Sequence, residues 1–411
     1  MRLSLSNQKL LFLLITSLFL GLLLFRLDFL LAPKLYDEIP FWNTSLAFSD
    51  RLIPRIEDLK TYGEVNTPLP FVIYGLLEHI SGHGFIAGRL LNVVLLLAIT
   101  FAIGWPRSSS QNSLLCLVGF LLFPYNLLYG GHLYTDVIAC AFVLLGIISY
   151  QRNQHILSCV AFILAISSRQ FMVAFPAAIS LYEFSRSIVR FQRSSQIRLS
   201  EQKRWLLPLI ATLSLLGWMY LFKGMTPQVE EALSKVDPRV QTTAWAIAPG
   251  RAINYLGSIA TYIVIPEFIL FRLWRNKLWQ TSSFSKQRRR ITIAIASILL
   301  ALAAISPPLL YTRNAINLAA GVFNNTNYEF IGAGIYYLFA LLVVIRFSQP
   351  SLLSVMVLTN SLIMAKVYPW DKYLWPFVIV FWYLKATRYS DIDKDECILN
   401  TKNSKQKVAS N

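Results

Sequence analysis

Four short polar stretches interrupt the apolar runs of this chain, and their side chains are the types that acid–base and phosphate chemistry use. They are Asp37-Glu38, Tyr134-Thr135-Asp136, Arg169-Gln170 and Trp370-Asp371-Lys372-Tyr373. A carboxylate can accept the proton of an attacking hydroxyl, while an arginine or lysine can stabilise a phosphate leaving group. The combination suits a reaction whose donor is a lipid phosphate, because the tail of the donor then stays in a bilayer.

The elements that position these residues are predicted to be membrane helices. Of the 411 residues, 55% are hydrophobic, and the mean hydropathy is +0.51. That much apolar surface does not fit into one soluble core. An apolar run of about 20 residues is long enough to cross a hydrocarbon layer of about 30 Å. The sequence therefore predicts an all-α polytopic membrane protein, a single multi-pass domain over residues 1–411 with about twelve transmembrane helices.

The predicted spans are the apolar runs that lie between polar or proline-containing stretches. They cover residues 10–31, 89–105, 113–129, 135–150, 155–167, 171–184, 205–222, 252–271, 291–310, 330–345, 352–366 and 373–384. The run 69–80 is shorter and opens among prolines, so we predict an amphipathic helix on the outer membrane face. Residues 32–88 then form one large first external loop with short interfacial helices.

The net charge of +17 predicts the orientation of the chain in the membrane. Basic residues cluster in residues 186–204, in 272–290 and near the C-terminus. Basic residues collect on the cytosolic side of a membrane, so both termini are predicted to be cytosolic, with a polar tail over residues 388–411. Anionic membrane lipid is the expected partner of this charge, and nucleic acid is not.

Other common chemistries lack their motifs in this sequence. The four cysteines have no metal-ligand spacing, and no HExxH motif or nucleophile elbow is present. The sequence also has no Walker loop and no GxGxxG following a strand pattern. ATP-driven transport and a nucleotide-binding Rossmann domain are therefore disfavoured.

The polar stretches also carry a resemblance to a known superfamily. The acidic pair directly after the first span, the proline-rich loop and the Arg89-Leu90-Leu91-Asn92 entry to the second span resemble GT-C glycosyltransferases. These enzymes use a polyprenyl-phosphate-linked sugar as donor. Within the superfamily the chain is most similar to dolichyl-phosphate-glucose α-1,2-glucosyltransferases. Their Met-Asp-Glu-Ile, Tyr-Thr-Asp-Val and Arg-Gln motifs resemble Tyr36-Asp37-Glu38-Ile39, Tyr134-Thr135-Asp136-Val137 and Arg169-Gln170.

The resemblance implies a GT-C-like fold and an inverting transfer of a sugar to an acceptor hydroxyl on a glycan, lipid or protein. Asp37 is then the catalytic base, and Glu38 orients the acceptor or holds a divalent cation. Arg169 and Lys372 are the expected ligands of the donor phosphate. The residues expected to bind the sugar or the acceptor are Tyr134, Asp136, Gln170, Trp370 and Asp371.

No cofactor is required by this interpretation. A divalent cation between Asp37 and Asp136 is compatible with it, because the superfamily contains both metal-dependent and metal-independent members. Purely structural roles also remain open for single residues. Glu38 and Asp136 suit the first turn of a helix, Lys372 suits snorkelling to the interface, and the aromatic residues suit an interfacial belt.

Two other classes of membrane protein share some of these features. A lipid-linked oligosaccharide flippase or a polysaccharide polymerase also has many spans and external charges, although its large loop is expected late in the chain. A solute carrier needs ionisable groups at mid-membrane, where Glu267 is the candidate to watch. The sequence names neither sugar nor acceptor. The predicted topology has no cytosolic domain, which favours a bacterial plasma membrane over the endoplasmic reticulum.

Overall fold

A computed structural model of the chain describes residues 4–35, 37–107, 112–194, 199–235, 247–271, 286–306, 329–367 and 370–387. These residues form helices and no strand. The predicted tail 388–411 and most of the basic segment 272–290 lie outside the described residues. An all-α fold is therefore confirmed for the described part of the chain.

The described residues form seventeen α-helices. In chain order they are α1 Leu5–Arg26, α2 Glu38–Ala47, α3 Leu69–Ser81, α4 Phe85–Gly104, α5 Asn112–Leu121, α6 Tyr125–Leu128, α7 Thr135–Gln151, α8 His155–Ser168, α9 Ala174–Ser194, α10 Leu199–Phe222, α11 Glu230–Leu233, α12 Pro249–Ile259, α13 Ile265–Phe271, α14 Lys286–Ile305, α15 Glu329–Arg346, α16 Leu352–Met364 and α17 Trp375–Ala386. Two 3-10 turns, Gln170–Val173 and Asp371–Leu374, precede α9 and α17, and a π-helical stretch, Ala260–Val264, joins α12 to α13.

Within the described residues each predicted span lies mostly on helical structure, while residues 307–310 of the predicted span 291–310 lie outside them. One predicted span has a clear break. The run 113–129 divides into α5 and α6, because Pro124 follows the end of α5 and has no N–H to continue the helical ladder. Among the described residues four helices are long and apolar enough to cross a membrane, namely Leu5–Arg26, Phe85–Gly104, Gln202–Phe222 and Pro249–Phe271. The remaining apolar helices are shorter, so the predicted count of about twelve spans stays a prediction.

Helix α17 occupies the centre of the bundle. All side chains from Trp375 to Leu384 are buried, and the helix packs against α4, α5 and α7. A helix that is apolar on every face belongs inside a core, which explains this position. The 3-10 turn that carries Asp371 and Lys372 directly precedes α17 and is buried as well. The centre of the fold thereby fixes one side of the candidate site.

A second apolar cluster lies under residues 38–81. It joins α2 and α3 to the start of α7 through Phe41, Phe71, Tyr74 and Tyr134. The two short helices approach closely at Gly75, where a Cβ atom would come within 2.6 Å of the Ser45 carbonyl oxygen. The run 69–80 is helical as predicted, and Pro70, Phe71, Tyr74 and Gly75 of α3 are buried, with α2 packed against the helix. Its position on the outer membrane face stays a prediction.

Candidate active site

An ion pair joins two segments that lie far apart in the sequence. The Nζ atom of Lys372 lies 2.9 Å from the Oδ2 atom of Asp37. The Asp37 side chain is 34% exposed and the Lys372 side chain 8% exposed, so the pair opens to the surface on the side of the carboxylate. Asp37 is the N-cap residue of α2, yet its side chain makes no cap hydrogen bond. The carboxylate is therefore directed into the site rather than used to start the helix.

Three aromatic rings surround the Lys372 ammonium group. Its Nζ atom lies 4.2 Å from the ring centroid of Trp370, 5.5 Å from that of Tyr134 and 5.7 Å from that of Tyr373. These distances are within the range of cation–π attraction, which is about 6 Å. The rings of Trp370 and Tyr373 are stacked, and Trp370 is 41% exposed. The cation is thus held beside an accessible aromatic surface.

The phenol of Tyr134 completes this arrangement. Burial raises the pKa of Tyr134, and the neighbouring Asp37 carboxylate, to which the phenol is hydrogen-bonded, raises it further. The phenol is therefore protonated and donates to Asp37. Its backbone is fixed by Tyr74 and Asn92, whose side chains both donate to the Tyr134 carbonyl oxygen, at 3.0 and 3.2 Å. Asp37 thus has two donors, Tyr134 and Lys372.

Glu38, the other member of the acidic pair, lies in a closed cluster. It accepts hydrogen bonds from Arg89 at 2.7 and 3.0 Å and from the Leu133 amide at 2.7 Å, and the Nδ1 atom of His132 lies 2.9 Å away. Burial raises the pKa of this carboxyl, but the bonds from His132, Arg89, Leu133 and Leu35 outweigh burial and lower the pKa to about 2. At 1% exposure Glu38 is paired with Arg89 and His132, and the prediction that it orients the acceptor or holds a divalent cation stays a prediction.

Arg89 also holds the turn that leads into Asp37. Its Nη1 atom donates to the carbonyl oxygens of Leu30 and Ala32, each at 2.7 Å. Asp28, Phe29 and Leu30 have φ values of 47, 51 and 78°, a left-handed region that costs energy for residues with a side chain. The guanidinium group therefore stabilises a strained exit from α1 and joins it to α4.

Asp136 and Arg169 form a second buried pair. The Nε and Nη2 atoms of Arg169 each lie 3.0 Å from an oxygen of the Asp136 carboxylate, and its Nη1 atom donates to Asn66. Both side chains are at most 5% exposed. Asp136 and Arg169 thus meet in one buried ion pair, and the prediction that Arg169 binds the donor phosphate and that Asp136 binds sugar or a metal stays a prediction.

Gln170 and Asp371, the remaining predicted residues, form hydrogen bonds outside the Asp37–Lys372 pair. Gln170 donates to the backbone carbonyl oxygens of Val65 and Met225, which ties two connecting segments together. Asp371 is buried and accepts hydrogen bonds from Ser258 and from Tyr262 in the π-helical stretch. Neither side chain contacts the Asp37–Lys372 pair through these bonds. The structure therefore brings Asp37, Lys372, Tyr134 and Trp370 together and gives Gln170 and Asp371 structural partners.

Sequence reasoning missed the roles of three buried polar residues. Arg89 and Asn92 appeared in it only as part of a motif, and His132 did not appear. Their one signal in the sequence is that each is a polar residue within or beside an apolar run, where such a group needs a partner. The identity of those partners depends on contacts between segments that are far apart in the chain.

A site for a metal ion is not preassembled in the described ranges, since they hold no group of three or more histidine, cysteine, aspartate or glutamate side chains suited to one. Asp37 and Asp136, the predicted pair of ligands, each have a cationic partner instead. Comparison of the chain with protein-family models, with curated proteins and with solved structures finds no match.

Proposed function

We propose that this chain is an integral-membrane, multi-pass, inverting glycosyltransferase of the GT-C type. It moves a sugar from a polyprenyl-phosphate donor to a hydroxyl group of a glycan, lipid or protein. The observation that carries this proposal is the Asp37–Lys372 pair, a partly exposed carboxylate held 2.9 Å from an ammonium group among aromatic rings. The resemblance of the polar stretches to GT-C enzymes supports the same conclusion independently of these distances.

The proposed reaction is a single displacement. Asp37 accepts the proton of the acceptor hydroxyl, whose oxygen attacks the anomeric carbon of the donor sugar. The bond between that carbon and the phosphate oxygen breaks, so the anomeric configuration inverts. Polyprenyl phosphate leaves with the electron pair of the broken bond, and its negative charge is stabilised by Lys372.

Lys372 is assigned to the donor phosphate because its partner is the most exposed carboxylate of the site. Arg169, the other predicted phosphate ligand, has its Nε and Nη2 atoms on Asp136 and its Nη1 atom on Asn66. A phosphate that approaches Lys372 competes only with Asp37. When the ammonium group moves to the phosphate, the Asp37 carboxylate loses that partner and is open to the acceptor hydroxyl, so donor binding frees the base for the acceptor.

The aromatic rings are assigned to the transferred sugar. Trp370 is the exposed ring beside Lys372, and Tyr134 stacks on Tyr129 with centroids 4.6 Å apart. Sugar rings have apolar C–H faces that pack on aromatic rings, while their hydroxyls need hydrogen-bond partners. A sugar on Trp370 thus has its phosphate near Lys372 and its anomeric carbon near Asp37.

The membrane setting of the proposal includes about twelve spans, cytosolic termini and a bacterial plasma membrane in preference to the endoplasmic reticulum. Four helices that are long and apolar enough to cross a bilayer support the membrane assignment. Anionic lipid is a proposed partner through the net charge of +17. The proposal assigns no step to a divalent cation, because both of its predicted ligands are paired with cationic side chains.

The test is sugar transfer by the purified protein in lipid nanodiscs, offered a panel of polyprenyl-phosphate sugars and hydroxyl acceptors. Wild type is expected to release polyprenyl phosphate, and Asp37→Asn is expected to reduce the rate by about 10²–10⁴-fold, the usual contribution of a general base. Asp50→Asn is the matched control, since Asp50 is an exposed aspartate of the same segment. Equal rates for wild type and Asp37→Asn would overturn the assignment of the base. Consumption of no donor by any variant would favour a flippase or a polymerase.

A further inference from the structure

Asp37 and Lys372 each have an acidic neighbour in the sequence whose side chain is buried. Glu38 follows Asp37 and is 1% exposed, and Asp371 precedes Lys372 and is 2% exposed. Neither acidic neighbour takes part in the ion pair, whose contact is between Asp37 and Lys372. In both dipeptides one side chain points into the site and the other points into the protein.

The two enclosed carboxylates attach the dipeptides to different parts of the bundle. Glu38 binds Arg89 of α4 together with His132 and Leu133 of the connection to α7. Asp371 binds Ser258 of α12 and Tyr262 of the π-helical stretch. A π-helical stretch often marks a functional position in a helix. The separation of Asp37 from Lys372 therefore depends on two independent attachments.

We propose that Glu38 and Asp371 are positioning residues, which set the distance and orientation of Asp37 relative to Lys372. This inference rests on the proposed function, because the pair is the assigned base and phosphate ligand. A backbone fixed one residue away leaves a side chain few degrees of freedom. A displacement of about 1 Å at a reacting group can reduce a rate by about 10²-fold, so loss of either attachment changes the chemistry.

The chain offers a matched control in Glu267. This carboxylate is also fully buried and binds two cations, with Arg346 and Lys385 each at 2.7 Å. Lys385 lies in the last turn of α17, whereas Lys372 lies before the first residue of that helix. Glu267→Gln thus removes a buried ionic attachment at the opposite end of α17. The Glu267→Gln variant therefore shows how a loss of overall stability affects the Asp37–Lys372 pair.

The first measurement needs no sugar transfer. A water-soluble carbodiimide activates the Asp37 carboxylate, the Lys372 amine attacks the acyl carbon, and an amide forms as the urea leaves. The 37–372 cross-link is quantified by mass spectrometry of the protein in nanodiscs. Wild type is expected to give the cross-link, Asp37→Asn to give none, and Glu38→Gln and Asp371→Asn to reduce the yield several-fold. Glu267→Gln is expected to retain the wild-type yield.

Three results would overturn the inference. They are an absent cross-link in wild type, unchanged yields in both positioning variants, and an equal reduction in Glu267→Gln. The second measurement is sugar transfer, in which Glu38→Gln and Asp371→Asn are expected to lower kcat by about 10²-fold and change the donor KM little. If wild type transfers no sugar while the cross-link pattern is as expected, the proposed function fails and the positioning of the pair stands.

Discussion

The carboxylate of Asp37 and the ammonium group of Lys372 are 335 positions apart in the chain and 2.9 Å apart in the structure. The two groups approach each other because the segments that carry them are both packed against the helical bundle. Residues 38–81 pack over the start of α7, and the turn that holds Lys372 continues into the central helix α17. Because the site is formed by two distant segments, substitutions in either segment can test it.

Replacement of Lys372 by methionine is expected to weaken donor binding. A hydrogen bond to a charged group contributes about 1.5–3 kcal/mol, so the donor KM should rise by about 10–100-fold. Lys60→Met is the control, since Lys60 is an exposed lysine of the segment that contains Asp37. The measurement is the dependence of transfer rate on donor concentration. An unchanged KM in Lys372→Met would remove this residue from the phosphate site.

The contribution of Glu38 to the stability of the protein is expected to change with pH only in acid. The pKa of Glu38 falls from 4.5 to about 2 on folding, because the bonds from His132 and Arg89 outweigh burial. A lowered pKa contributes stability at pH values above the unfolded value, and this contribution is lost as the pH falls through about 4.5 and then about 2. It is constant between neutral pH and about 5.5.

The measurement for this prediction is the apparent melting temperature between pH 7 and pH 2. In wild type the melting temperature should fall with a component that is missing in Glu38→Gln. The two proteins should therefore converge in acid, after a large difference at neutral pH. Parallel curves over the whole range would show that folding does not lower the pKa of Glu38.

Trp370→Ala is expected to reduce the affinity for the sugar without unfolding the protein. Trp370 is 41% exposed, so its removal leaves no large internal cavity. Stacking of one ring contributes on the order of 1 kcal/mol, which predicts a donor KM increased by about 5–10-fold. Tyr220→Ala is a suitable comparison, because Tyr220 is an aromatic residue at 88% exposure on α10. Equal effects of the two substitutions would exclude a specific role for Trp370.

The Asp136–Arg169 pair is expected to act on stability rather than on donor binding. Arg169→Gln leaves the buried Asp136 carboxylate without its cation, a change that costs about 3–5 kcal/mol. The double variant Asp136→Asn, Arg169→Gln removes both charges and should recover much of that loss. Thermal unfolding of the three variants measures the effect. If the Arg169→Gln variant is stable and its donor KM is raised, the result would instead support the predicted role of Arg169 as a ligand of the donor phosphate.

The sequence predicted the helical segments well because apolar runs have a direct physical consequence. Within the described residues each predicted span lies mostly on helical structure, since a long apolar run in a membrane can satisfy its backbone groups only within itself. The polar stretches were also recognisable, because an ionisable group within or beside a membrane span needs a partner or a function. The break at Pro124 was missed, because the apolar pattern continues through it.

The types and spacing of the residues identify the candidates, and the packing of distant segments selects those that share a site. Asp37 and Glu38 are neighbours of the same chemical type, and no local pattern distinguishes them. Successive residues at the start of a helix project in different directions, so one carboxylate reaches Lys372 and the other reaches Arg89. Those partners lie far away in the sequence. Only the packing of the helices decides which carboxylate remains open to a substrate.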